Sequence, residues 1–452
     1  MYDYVRFCSL LIIVFHLVGP YLEIEHVWGA GGFPMIALPF RLLLAGAALL
    51  FLWPRLAKVS WGVAMSAWQA LRRRFARSVL FAAIAALSLP AFWLARLGHL
   101  RWGDAYIFAK GISHPEVRLT YSWQAPLDLY LHAKIWALLQ PLLGWDVQMV
   151  YAIISCLAGG FFVWVILHIA SDLGNDVGVR ITIVALTLTL GSMQLFCGYV
   201  EAYTIAPVGI ILFLWLGLRY LRDGGPLWPA ALVLAVTHGL TPSTLPLSLS
   251  LLYLGWHAWR RRGWHVERVG LQVVTPMLLV AGSILALMTA GGHGLNALLG
   301  VDSPGGGDHR WLVPLFQVQT RWEHYTMFSW AHLRDFLNEQ LLVAPLSLLL
   351  VIGAMVRYRR VLDWRDPMLL FLALAAGSYL LFTFIWNPDY GGRRDWDLFA
   401  LASFPLTFLA AYLLNHYLPA AERARTAIVA VAVSLMHLLP WVHFNMLPWL
   451  WE

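Results

Sequence analysis

LLFLALAAGSYLLFTFIWNPDYGGRRDWDLFALASFPLTFLAAYLL, residues 369–414, places two long apolar runs on either side of the polar stretch NPDYGGRRDWDLF (387–399). Each run is long enough for a helix across about 30 Å of hydrocarbon. Strands of a transmembrane barrel would instead alternate apolar and polar residues over about ten positions. The same pattern recurs along the 452 residues, of which 60% are hydrophobic and only 12% charged, whereas soluble domains carry roughly 25% charged residues. With a mean hydropathy of +0.68, the chain reads as an all-α polytopic membrane protein forming one integral unit over residues 1–452.

About thirteen spans are expected, near 5–20, 34–53, 78–96, 146–168, 181–197, 203–219, 227–242, 244–257, 269–290, 341–356, 367–386, 397–416 and 426–446. The first is read as a membrane anchor, because no small-residue cleavage site follows it. Three cysteines, Cys8, Cys156 and Cys197, lie in or beside apolar runs, where free thiols behave as small hydrophobes. A disulfide scaffold is excluded. Arg41 falls inside the second run, which costs roughly 2.5–3.5 kcal/mol at the bilayer centre unless the side chain snorkels, finds a partner or the helix is shifted.

The net charge of +7 is distributed by topology. Alternate connections (55–77, Arg180, 219–222, 260–268, 357–365 and 423–425) hold nineteen Arg and Lys residues, and the intervening ones hold ten. The richer side is expected to be cytoplasmic. The amino terminus is then inside, the carboxy terminus outside, and the membrane the cytoplasmic (inner) one. Nucleic acid is not an expected partner.

Other ionisable residues collect on the outer side, in a first large loop (97–145), the turns GYVEAY (198–203) and THGLTPST (237–244), a long loop (291–340) and the Arg/Asp loop (387–399). The cytoplasmic connections offer little beyond arginine and a few aspartates. Asp104 suits a general base for an acceptor hydroxyl or amide; it also suits the cap of a helix starting at Ala105. Arg393 and Arg394 beside Gly391 and Gly392 suit a phosphate, since guanidinium offers bidentate donors and glycine lets backbone approach. Asp389, Asp395 and Asp397 would orient those arginines, bind sugar hydroxyls, or close a solvated turn; Asp395 and Asp397 are also the pair for a divalent ion, if one is used. Glu201 has almost no loop to live in, which marks a membrane-boundary carboxylate as functional. His238 is a candidate of the same kind, or a structural histidine. In the long loop, Asp308, His309 and Arg310 follow SPGGG, which reads as flexible backbone. Zinc-site spacings and a GxxxxGK[ST] phosphate loop are both absent, which disfavours a zinc enzyme and ATP-driven transport.

YSWQAPLDLYLHAKIW (121–136), about twenty residues after the Gly-Asp of the first outer loop, resembles the segment following the catalytic Asp loop in polyprenyl-phosphate-sugar-dependent glycosyltransferases of the GT-C fold. Protein mannosyltransferases and aminoarabinose transferases belong to that superfamily. The resemblance covers residues 97–170 best. It implies an inverting transfer of sugar from a polyprenyl phosphate to a lipid, glycan or protein acceptor in the cell envelope, with Asp104 as base and the Arg393–Arg394 pair on the leaving phosphate. Tyr121 and Gln124 would line the site, and the family's second carboxylate role would fall to His114 or Glu116. In the family that loop follows the first span, whereas Asp104 follows the third. Two rival readings are a lipid-linked glycan ligase or polymerase with diphosphate donors, using His309 and Arg310, and a transporter or flippase. The latter would place polar residues near the midplane and on both sides.

Overall fold

The computed structural model describes residues 1–114, 119–300 and 310–448. Among these, the chain forms helices and a lone antiparallel bridge between Leu312 and Trp386. Among the described residues, seven helical segments are long and apolar enough to cross a membrane: Tyr2–Tyr21, Arg77–Leu94, Val147–Leu173, Val266–Ala290, Pro367–Ile385, Trp396–Tyr417 and Ala420–Met446. Two bent pairs, Leu38–Phe51 with Pro54–Arg74 (90°) and Trp330–Val343 with Ser347–Tyr358 (100°), raise the number to nine if each is one span.

By length and composition these helices do not confirm the expected count of about thirteen, because several of the expected segments form shorter helices. The segment at 181–197 becomes a 12-residue helix, Val177–Leu188, followed by the 3-10 turn Gly191–Phe196. That at 227–242 becomes a 13-residue helix, Trp228–Leu240. At 1.5 Å per residue such helices reach only about 20 Å. The segment at 244–257 opens as a 3-10 turn, Pro242–Leu247, before Ser248–Arg262. That at 203–219 forms Ala206–Asp223, whose last turns carry Arg219, Arg222 and Asp223.

Burial sorts the helices. The most apolar window of Trp396–Tyr417 is 89% buried, so it is a central post; that of Arg77–Leu94 is 11% buried and lies at the periphery. Local caps start two successive helices. The Asp146 carboxylate accepts the Met149 N–H at 2.7 Å to open Val147–Leu173, and Asp176 accepts the Val179 N–H at 2.8 Å to open Val177–Leu188, each satisfying a backbone donor that has no intrahelical partner.

The bundle has two chemically distinct ends. At one, the Met1 amino group pairs with Glu422 (3.0 Å), Arg423 with Asp176 (3.0 Å) and Arg222 with Asp172 (3.0 Å), and the helix Pro54–Arg74 crosses it with Arg72, Arg73 and Arg74 in its last turn. At the other, the Gly98 N–H donates to the Asn445 carbonyl (2.8 Å), the Trp102 indole N–H to the Asn445 side chain (2.6 Å), and the Gly29 N–H to the Asn338 side chain (2.9 Å). The arginine-rich connections thus gather opposite the loops at 97–104 and 387–399. Arg41 sits in the first turn of Leu38–Phe51, directly after the docked loop 19–37, and so near a helix end rather than mid-span. A long side chain there can snorkel to the boundary.

The two ends are joined by tightly packed crossings. Buried His16 and His437 stand 3.0 Å apart, and His437 donates to the Leu342 carbonyl at 2.9 Å. Gly191 lies against the same carbonyl, so closely that a Cβ there would overlap the Leu342 oxygen and stand 3.3 Å from the His437 ring. Gly191→Ala is therefore expected to destabilise the protein by about 1–3 kcal/mol, the cost of forcing a methyl into a packed interior. A lowered melting temperature in detergent checks this; an unchanged one would contradict the close crossing.

Candidate active site

The chain reaches the site from the end of Arg77–Leu94, where the Leu97 N–H donates to the Cys197 carbonyl at 2.8 Å. It then turns at Gly103, whose φ of +46° suits glycine. A Cβ at this position would lie 2.6 Å from Glu201 Oε1 and 3.0 Å from Asp397 Oδ2. Only a residue without a side chain fits between these two carboxylates.

Asp104 is the residue before the helix Ala105–Gly111, yet its side chain makes no capping bond to that helix. Its carboxylate turns inward instead. Oδ1 accepts from the Tyr390 hydroxyl at 3.0 Å and Oδ2 from the Gln124 amide at 2.5 Å. The Asp104 N–H donates to Glu201 Oε1, whose other oxygen accepts the Ala202 N–H at 3.0 Å. The Gly103 N–H donates to the Arg394 carbonyl at 3.0 Å. Asp104, Gln124, Glu201 and Arg394 therefore meet at one backbone turn despite their separation in sequence.

The loop 387–399 is folded on itself by its own polar groups. The Gly391 carbonyl accepts the N–H groups of Arg394 (3.0 Å) and Asp395 (3.1 Å). Asp395 Oδ2 accepts the Tyr390 N–H at 2.8 Å, and Asp397 Oδ2 accepts the Tyr199 hydroxyl at 2.9 Å. Asp395 and Asp397 thus hold the turn in place. The Arg394 guanidinium stacks 4.5 Å from the Tyr390 ring centroid, and Arg393 pairs with Glu25 at 2.5 Å. Beside this turn opens a cavity of about 340 Å³ lined by Arg101, Arg334, Arg393 and Arg394 together with Glu25 and Asp335.

The electrostatics follow from burial. Glu201 is 2% exposed, and its carboxyl is pushed well above the usual range by desolvation, then by the charges of Asp397 and Asp104, against the pull of its two backbone donors. Asp395 is raised well above its usual value by burial, against the Tyr390 N–H, with Asp397, Asp104 and Asp389 adding to the rise. The Tyr390 hydroxyl is raised by burial and by its Asp104 neighbour, so it stays a donor. Arg101 is lowered to about 10, first by burial and then by the neighbouring Arg393, with Glu25 opposing. The Asp104 carboxylate thus stands beside a cavity whose arginines can take an anion.

Other sequence candidates make contacts of their own. His238 is engaged by Thr244 (2.8 Å) and Ser248 (2.9 Å); Thr244 donates to the Thr241 carbonyl and Thr241 to the Ala202 carbonyl, so His238 braces the Glu201 turn through two threonines. Tyr121 packs on Tyr130 and His293 under Lys134. The His114 N–H closes the turn after Gly111. The Asp389 carbonyl accepts from His324 at 2.9 Å. Arg310 bonds Gln319 at 2.7 Å and lines a separate cavity of about 510 Å³ with Leu312, Leu315 and Ile385. Glu116, Asp308 and His309 lie outside the described residues. Among the described residues no group of three or more His, Cys, Asp or Glu side chains is placed to hold a metal ion, Asp395 and Asp397 included.

Sequence reasoning missed Tyr390, Tyr199, Glu25, Arg101 and Arg334. Tyr390 had a signal, a phenol inside the polar stretch itself. Glu25 had none, because it arrives from the amino-terminal loop, which the Trp28 indole pins to Asp335 at 3.1 Å.

No family model matches the sequence, and no curated protein matches it. Among solved structures, the crystal structure of ArnT from Cupriavidus metallidurans bound to undecaprenyl phosphate is similar, with a TM-score of 0.54 and 11% identity, covering 82% of this chain and 77% of that one. At that identity the likeness shows the fold alone: this chain shares the fold of that protein.

Glu201 gives the site a pH signature. A folded carboxyl whose value lies above the ordinary 4.5 favours its protonated form, so the stability it contributes is present at acid pH and is lost as pH rises from that value through the raised one. Glu201→Gln cannot ionise, while its amide oxygen can still accept the Asp104 N–H. The wild type is expected to lose more melting temperature than the variant between about pH 5 and pH 8. Parallel profiles would contradict the buried, proton-holding Glu201.

Proposed function

We propose that the protein is an inverting membrane glycosyltransferase that moves a sugar from a polyprenyl-phosphate-linked donor to an acceptor on the outer side of the cytoplasmic membrane. One observation carries this reading. Asp104 leaves the helix it precedes uncapped and directs its carboxylate to Tyr390, whose ring bears Arg394 at the edge of the arginine cavity. A proton acceptor and a phosphate clamp are thereby one side chain apart. The GT-C fold, shared with a protein crystallised with undecaprenyl phosphate, supports a lipid-phosphate donor. The gathering of basic connections at the Met1 end supports a cytoplasmic amino terminus and an outer site.

The reaction is a single displacement at the anomeric carbon. The acceptor oxygen forms a bond to that carbon while its proton passes to Asp104; the bond from carbon to phosphate oxygen breaks, and its electron pair leaves with the phosphate. The configuration inverts. Phosphate is already a weak base, so no general acid is needed, in contrast to glycoside hydrolysis. Arg393 and Arg394 stabilise the charge that develops on it. Gln124 and Tyr390 hold Asp104 until an acceptor hydroxyl replaces one of them, and Glu201 fixes the Asp104 backbone. Asp395 and Asp397 keep the arginine turn in shape.

Asp104→Asn is expected to lower transfer by 10²–10⁴-fold, about 3–5 kcal/mol in the barrier, with donor binding retained, because the base acts on the acceptor. Near wild-type transfer by the purified variant would remove Asp104 from the chemistry. Arg394→Lys keeps charge but loses the planar fork, so both donor affinity and turnover should fall. Assay in detergent also separates a transferase from a flippase. With no compartments present a transferase turns over, and absence of turnover with competent donor and acceptor would favour transport.

A further inference from the structure

The helix Pro54–Arg74 begins and finishes at the same end of the bundle. Just before it, the Leu52 carbonyl accepts the Tyr2 hydroxyl at 3.2 Å; just after it, Arg77 donates to the Ser171 hydroxyl at 3.0 Å, adjoining Asp172. Midway, the Trp61 ring lies against Gly178, where a Cβ would stand 3.4 Å from Cζ2, next to the Asp176–Arg423 pair. Its 21 residues run about 30 Å at 1.5 Å per residue, and all of that length lies along the Met1 end. The helix is therefore not the second half of a span that continues Leu38–Phe51, from which it bends by 90°.

Around its axis this helix shows three faces. Ala57, Trp61, Ala64 and Trp68 are buried or half-buried, the last stacked on Phe81, and this face meets the protein, Ala420–Met446 included. Arg55, Lys58, Ser66, Gln69 and Arg73 are exposed and fall within an arc of about 80°, at about 100° per residue. Val59, Val63, Ala67 and Ala70 are exposed as well and fill a neighbouring arc of about the same width. Val59 is 62% and Val63 63% exposed, and Trp53, 57% exposed, borders the apolar arc at the helix start.

Apolar and cationic arcs side by side on one exposed helix fit a membrane surface, with acyl chains on the first and head groups and water on the second. The charge is of one sign. The helix carries five basic side chains (Arg55, Lys58, Arg72, Arg73 and Arg74) and no acidic one, and none of the five forms an ion pair among the described residues. Carboxylates of that end are already taken: Asp172 by Arg222, Asp176 by Arg423 and Glu422 by the amino terminus. Charge complementarity thus points outside the protein, to the phosphates of a lipid surface.

We infer that Pro54–Arg74 lies in the plane of the membrane surface at the Met1 end and binds anionic phospholipid, with Val59 and Val63 in the acyl region and Arg55, Lys58 and Arg73 on head-group phosphates. This surface is at the opposite end of the bundle from Asp104 and is independent of the sugar transfer proposed there.

The test titrates the full-length protein in detergent with phosphatidylglycerol or phosphatidylcholine of the same acyl chains, followed by native mass spectrometry. Phosphatidylglycerol is expected to bind about tenfold more tightly. In the triple variant Arg55→Gln, Lys58→Gln, Arg73→Gln that preference should fall to about threefold or less, with phosphatidylcholine binding unchanged as the sign of an intact fold. Removing two exposed arginines of the same end outside the helix, Arg359→Gln with Arg360→Gln, should leave the preference in place. Equal binding of the two lipids by the wild type, a preference kept in the triple variant, or one lost equally in the control pair overturns the inference. Placement is read separately, from spin labels at Val63→Cys and Gln69→Cys in liposomes containing phosphatidylglycerol, the native cysteines being buried. The first label should be relaxed by oxygen dissolved in the bilayer and the second by an aqueous nickel chelate; the reverse, or both labels in water, overturns the in-plane arrangement.

Discussion

The peptide units on either side of Gly103 organise the site. Their two N–H groups donate to the Arg394 carbonyl and to the Glu201 carboxylate, tying together the stretch after Arg77–Leu94, the turn at 198–203 and the turn at 387–399. Glycine is required there because carboxylates crowd both sides of its Cα and φ is positive. Buried donors and acceptors left unpaired cost about 1–3 kcal/mol each, so breaking either bond would free the segment that carries Asp104. With it in place, the Asp104 side chain has one orientation, toward Tyr390 and Gln124, and the arginine turn has one distance from it.

The outer layer of this arrangement is built from connections between segments remote in sequence. Asn387 donates to the carbonyls of Arg310 (3.3 Å) and Trp322 (3.1 Å), and the Val313 N–H donates to the Ile385 carbonyl at 2.9 Å, so the stretch 310–328 is stitched to the chain that feeds the arginine turn. On the other flank, the loop 19–37 is pinned to Trp330–Val343 through Gly29, Trp28 and the His26 carbonyl, the last accepting from Asn338 at 3.1 Å. Two remote segments thus wall one cavity. Polar groups gathered at one end of an apolar bundle fit chemistry at a membrane surface, where a lipid-linked substrate keeps its chains in hydrocarbon and presents its head group to protein.

Much of this was legible because charge is rare in the chain. Asp104 stood out in the first outer loop, Glu201 as a carboxylate with almost no loop around it and Arg394 in the dense polar stretch 387–399, and the structure brings the three to one turn. Gln124 was legible only through the family resemblance of 121–136, and its amide reaches Asp104. The helix lengths were not legible, since hydropathy does not show where an apolar run breaks from a helix into a 3-10 turn, as between Val177–Leu188 and Gly191–Phe196. Nor could the sequence show that Glu25 and Arg334 share a cavity with Arg393. Their approach depends on how the amino-terminal loop docks, and no local pattern encodes a contact across more than three hundred residues.

The central claim is that the anion of a lipid-linked donor sits in the arginine cavity, within reach of Asp104. A structure of the full chain determined with undecaprenyl phosphate tests it most directly. The account predicts phosphate density against the guanidiniums of Arg393 and Arg394, on the side of the turn that faces Asp104. Density for the phosphate beside Arg310, in the cavity of about 510 Å³ lined by Leu312 and Leu315, with the arginine cavity holding none, would contradict it.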